Sequence, residues 1–155
     1  MFADKEALPI AVFCFPVTIA GGKSALAANT TASNNVAVGV EVLDANTTGT
    51  QNTAIGKASL SANTTGNYNV GCGAYTLQNA TTADENTAVG YRAGHAITTL
   101  GGNVCVGNYA GEATTGASNT FVGNQAGKNT TGSELTAVGG ADRDWETLPP
   151  KVVIA

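Results

Sequence analysis

Along residues 18–140 the apolar and polar positions recur at a fixed spacing. A five-residue unit, Asn52-Thr53-Ala54-Ile55-Gly56, returns with starts at Asn35, Asn69, Asn86, Asn103 and Asn119, and once more at Leu135 without its Asn. From Asn35 to Asn103 the starts are 17 residues apart, and the last two steps are 16. A second signature rides on the same period: Asn29-Thr30-Thr31, Asn46-Thr47-Thr48-Gly49, Asn63-Thr64-Thr65-Gly66, Ala113-Thr114-Thr115-Gly116 and Asn129-Thr130-Thr131-Gly132. Self-similarity at a fixed period means stacked identical units. Seventeen residues is too short for a pair of helices, and the Gly and β-branched content opposes helix. The pattern predicts an all-β parallel β-solenoid of about seven or eight coils, each with two strands of four or five residues joined by two turns.

Side chains alternate across a sheet, so each unit should have two faces. The fourth position (Val38, Ile55, Cys72, Val89, Val106, Val122, Val138) is always apolar and is expected to fill the lumen, with the second position, Val or Thr, beside it. The third position should then face out. Its column of small residues, Ala37, Ala54, Gly71, Ala88 and Cys105, is unusual for a solvated surface and suggests an interface between chains. The Asn that opens each unit is expected to stack into a ladder of side-chain amides.

Asn-Thr-Ala-Val-Gly followed by Ala-Leu and Asn-Thr-Thr-Gly resembles the head repeats of trimeric autotransporter adhesins, in the 17-residue variant of phage tail fibres and large bacterial surface proteins. The likeness spans residues 18–140. It implies a left-handed parallel β-roll, three chains side by side, located on a cell surface, outside the cell or on a virion. The chain departs from that family at both ends, with no coiled-coil stalk, membrane anchor or self-cleaving chaperone pattern.

Three segments follow. Residues 1–17 hold the apolar run Ile10 to Val17, too short to cross a bilayer, and read as a strand capping the first coil or docking on a neighbour. Residues 18–140 are the repeat domain. Residues 141–155 break the pattern with Asp142, Asp144, Trp145, Glu146 and Pro149-Pro150, then end on a β-like tail, a cap or a docking strand that could build a filament. Within the repeats, Leu43, Leu60 and Leu77 give way to Gly94, Gly111 and Gly127 at the same position. Ile97, Leu100 and Phe121 are the large residues available to compensate, with a change in coil cross-section.

Charge narrows the partners. Seven Lys plus Arg against eleven Asp plus Glu leave a net charge of −4, with no basic stripe for nucleic acid. The three cysteines make no framework. Cys72 and Cys105 occupy positions of opposite parity, Cys72 read as a buried Val substitute and Cys105 as an outward Ala substitute. Cys14 lies outside the repeats.

No catalytic set assembles, and neither a metal nor a cofactor is expected. His95 is the single His, at a variable turn position. Asp84-Glu85 and the Asp142–Glu146 acids leave a polysaccharide-cleaving tail spike as an alternative. A candidate ligand surface runs two residues after each unit's Gly. Tyr75, Arg92, Tyr109 and Gln125 form its column, with Tyr91 and Asn108 one residue before it, and Arg92 between two rings permits cation–π stacking. Such a surface suits a glycan or a protein receptor. Ice binding, a third class, would need an outward Thr ladder; the turn Thr come as adjacent pairs, so one of each points away, and the second position alternates Thr with Val, so none is expected. The chain reads as a non-enzymatic fibre or adhesin component, a homotrimer able to polymerise end to end, not inserted in a membrane.

Overall fold

The computed structural model describes residues 11–13, 18–140 and 152–154. After β1 (Ala11–Phe13) and β2 (Thr18–Gly21) comes one three-residue strand per repeat. These are β3 (Val36–Val38), β4 (Thr53–Ile55), β5 (Val70–Cys72), β6 (Thr87–Val89), β7 (Val104–Val106), β8 (Thr120–Val122) and β9 (Thr136–Val138), and β10 (Val152–Ile154) closes the order. β2 to β9 are eight parallel strands, each paired with its neighbours in sequence. Val38 lies opposite Ile55, Ile55 opposite Cys72, and Cys72 opposite Val89, so equivalent letters stack in one row. The chain is a parallel β-solenoid of about seven coils, with no helix among the described residues.

Each coil has one strand where two were expected. The rest runs through turns, because three of its non-Gly positions take left-handed backbone: Gln51, Ala58 and Leu60, for example, have φ of 59°, 53° and 53°. An L side chain there costs roughly 1 kcal/mol. The turns still bond from coil to coil, with the Leu43, Leu60 and Leu77 amides donating to the carbonyls of Ser59, Thr76 and Ala93 at 3.2, 3.0 and 3.1 Å.

The two faces of the unit are exchanged relative to expectation. The third position is the interior: Ala37, Ala54, Ala88 and Cys105 are fully buried inside a single chain, and Gly71 is buried with them. These five cannot form an interface between chains. The fourth position faces solvent, with Val38 43% and Ile55 41% exposed. The cause is the bore of the coil. Asn35, Asn52 and Asn69 at the first position are fully buried, and alternation puts the third position on the same side. The space left beside the Asn row admits Ala or Gly. At Gly71 a Cβ would collide with the Ser59 hydroxyl and come within 2.8 Å of that of Thr76, and these two hydroxyls bond each other at 2.7 Å.

The Asn row is the spine of the fold. Oδ1 of Asn35, Asn52, Asn69, Asn86 and Asn103 accepts the backbone N–H of the next unit's Asn at 2.8 to 3.0 Å. The amide nitrogen donates across the coil, from Asn52 to Gly66 O at 2.8 Å and from Asn69 to Ala83 O at 2.7 Å. The ladder ends at Leu135, whose N–H still reaches Asn119 Oδ1 at 3.0 Å.

The loss of the Leu row is compensated as expected, through two of the three candidates. Ile97 and Phe121 are buried, each 1% exposed, whereas Leu100 is 43% exposed. A Cβ on Gly94 would lie 3.1 Å from Ile97 Cδ1, and one on Gly111 3.0 Å from Phe121 Cδ2. The glycines therefore vacate space that larger residues from other positions fill. Among the ends, β1 pairs antiparallel with β2 and β10 parallel with β9, both within the chain's own sheet. Cys14 and the Asp142–Glu146 group fall outside the described residues.

Candidate functional site

The solenoid carries two outward features. The first is the sheet face. Its row of fourth positions runs Val38, Ile55, Cys72, Val89, Val106, Val122, Val138, in register along seven strands. Beside it runs the second-position row, with Ile19 40% and Val70 37% exposed and Thr53, Thr87, Thr120 and Thr136 half-buried. Together the two rows present an outward strip of apolar and Thr side chains, the kind of surface that can serve for contact. Cys72 stands in the row and is exposed, the reverse of the buried role expected of it, while Cys105 is enclosed in the lumen. Burial pushes the Cys105 thiol up to about 12.

The second feature lies past the Gly that ends each strand. Left-handed backbone at Tyr75, Arg92 and Tyr109 (φ 60°, 56° and 57°) stacks these residues in successive coils. The expected Arg-between-Tyr arrangement is absent, because Tyr91 takes that place. Its ring meets Tyr75 edge-on at 5.9 Å and Tyr109 edge-on at 5.3 Å between centroids. Arg92 turns away, its Nε 2.8 Å from Glu112 Oε1. The cations over the rings are lysines that sequence reading passed over. Lys57 Nζ lies 5.7 Å from the Tyr75 centroid and Lys128 Nζ 5.4 Å from that of Tyr109. Lys57 was findable, since it shares the column of Tyr91. Lys128 comes from another position of its coil and gave no column signal. Asn108 bonds Asn124 at 3.3 Å, and Gln125 is half-buried at the end of the strip.

Two of the turn residues named above bond to the neighbouring coil. Asp84 Oδ1 accepts the backbone N–H of Asn67 at 2.6 Å. His95 is half-buried, with Nε2 2.9 Å from Gln78 Oε1. Among the described residues no three His, Cys, Asp or Glu side chains gather as metal ligands.

No protein-family model, curated protein or solved structure matches this chain.

Proposed function

We propose that this chain is a non-catalytic structural module of an extracellular fibre or adhesin, on a cell surface or a virion. It assembles as a homotrimer through the outward sheet face, with end-to-end stacking into filaments as a further step. The observation that carries the reading is the exposed row Val38, Ile55, Val89, Val122 and Val138, each between 37% and 43% exposed. In register on a regular sheet, such a row offers a repeating apolar surface that a second copy of itself can match. The 17-residue period and the Asn-Thr-Ala-Val-Gly unit support the adhesin-head comparison. Sedimentation equilibrium of the purified protein tests it: a mass three times the 15.4 kDa chain is expected, and a monomer at all concentrations rejects it.

One observation keeps a second reading in view. With the second position outward, Thr53, Thr87, Thr120 and Thr136 lie on the sheet face, where an ice-binding solenoid carries its Thr. Val36, Val70 and Val104 interrupt them, and the neighbouring row is apolar throughout. Both favour contact between chains. Thermal hysteresis in a monomeric sample would reverse that preference.

A further inference from the structure

We infer that the strip Lys57–Tyr75–Tyr91–Tyr109–Lys128 is a binding site for a linear anionic polysaccharide, an inference that rests on the adhesin reading and gives that adhesin its ligand class. Five successive coils contribute one residue each, so the strip runs along the solenoid axis. Rungs repeat at about 4.8 Å and the strip spans about 19 Å. The rung spacing is close to the length of one pyranose residue in an extended chain, so each sugar can face one rung. Tyr91, 42% exposed, is the ring most open to stacking. The edge-to-face contacts with Tyr75 and Tyr109 hold it in place, which limits the side-chain entropy lost when a sugar docks.

Charge selects an acidic polymer over a neutral one. Lys23, Lys57, Arg92 and Lys128 are the lysines and arginine among the described residues; Lys57 and Lys128 end the strip, and Arg92, next to Tyr91 in sequence, is paired with Glu112. Glu112 faces Arg92 and Lys128, and Glu41 acts on Lys57. The three cations still outnumber these two acids, in a chain whose net charge is −4. The lysines stand at the two ends of the strip, each over an outer ring, Lys57 over Tyr75 and Lys128 over Tyr109, where acid groups of a polymer lying across Tyr91 would reach them. A single small anion would use neither the spacing nor the rings.

Calorimetric titration of the intact protein with three probes tests this: an oligogalacturonate, its methyl ester and a heparin oligosaccharide of similar length. Tighter binding of one or both charged probes, at least tenfold over the ester, is expected, and the stronger of the two tells a carboxylated from a sulfated ligand. Tyr91→Ala should weaken binding at least tenfold without changing the circular dichroism spectrum. Lys57→Ala with Lys128→Ala should flatten its dependence on salt. Equal affinity for the ester, no binding by either charged probe, or an unaffected Tyr91→Ala variant overturns the proposal. Sedimentation of the same samples separates the two readings. A trimer that binds no charged probe rejects the ligand alone, and a monomer that binds one rejects the assembly alone.

Discussion

The ring of Phe121 occupies the place where a side chain on Gly127 would begin. The two residues belong to one coil, and they invert the arrangement of the coils three and more earlier, where the third position is small and the equivalent of Gly127 is Leu, as in Ala54 and Leu60, both fully buried. Large and small have changed places across the lumen, and the bore stays filled. Gly127→Ala should therefore destabilise the fold by about 2 to 4 kcal/mol, from overpacking and left-handed backbone together. Phe121→Ala should cost about 3 to 5 kcal/mol by opening a cavity. Chemical denaturation of Phe121→Ala/Gly127→Leu should show a smaller loss than Phe121→Ala alone, since the pair restores the earlier pattern. Strict additivity would mean that the two sites do not share a space.

Asn69 stands in the middle of the amide row and bonds on both sides. Asn69→Ala would strand the buried N–H of Asn86 and the carbonyl of Ala83. Each stranded group costs about 1 to 3 kcal/mol, so a loss of about 3 to 5 kcal/mol is expected by urea denaturation. Asn35→Ala, near the first coil, should cost less: Asn35 makes the same two bonds, but the Gly49 carbonyl that would lose it keeps the Asn46 amide at 3.0 Å.

The exchange of faces gives a paired test on adjacent residues. Ala54→Glu puts a carboxylate into a fully buried lumen position and should unfold the chain. Ile55→Glu places the same group on the outward row and should leave the coil folded while releasing monomers. Circular dichroism and sedimentation on the two variants report fold and mass separately. A folded Ala54→Glu protein would contradict the inward assignment.

The thiols report the same geometry. In a Cys14→Ser background, Cys105 should resist maleimide until the protein is unfolded, being buried and held as the protonated thiol. Cys72 should react when chains are separated by Ile55→Glu and slow markedly in the assembled protein. Mass spectrometry of timed samples reads both rates.

His95 supplies a pH dependence. Burial first, and then Arg92, hold its imidazole below the ordinary value of 6.5, with Glu112 opposing. The folded state thus takes up a proton less readily than the unfolded chain, and stability is lost as the pH falls through about 6.5 toward the folded pKa. Tm should drop between about pH 7.5 and pH 5.5, and His95→Gln, keeping a partner for Gln78, should flatten that step. An identical drop in the variant would assign it to other groups.

Period, register and the amide row are written in the letters, because stacking sets equivalent residues over one another and repetition is visible without coordinates. Asn35, Asn52 and Asn69 needed no structure to be read as a ladder, whereas Ile97 and Phe121 stood beside Leu100 as replacements for the lost leucines until burial separated them from it. Which side of the strand was the inside lay beyond pattern reading. A two-residue alternation separates Val38 from Ala37 but does not say which one meets water, and hydrophobicity alone favours the larger residue as core. The width of the bore decides it. A coil of 17 residues already lined by an Asn row and a Leu row has room for a methyl group and sends the β-branched residues outward. The same holds at the tyrosine strip. Its rows follow from the period, but Tyr91 standing between Tyr75 and Tyr109, with lysines closing the ends, depends on side-chain directions that arise once the coils are stacked.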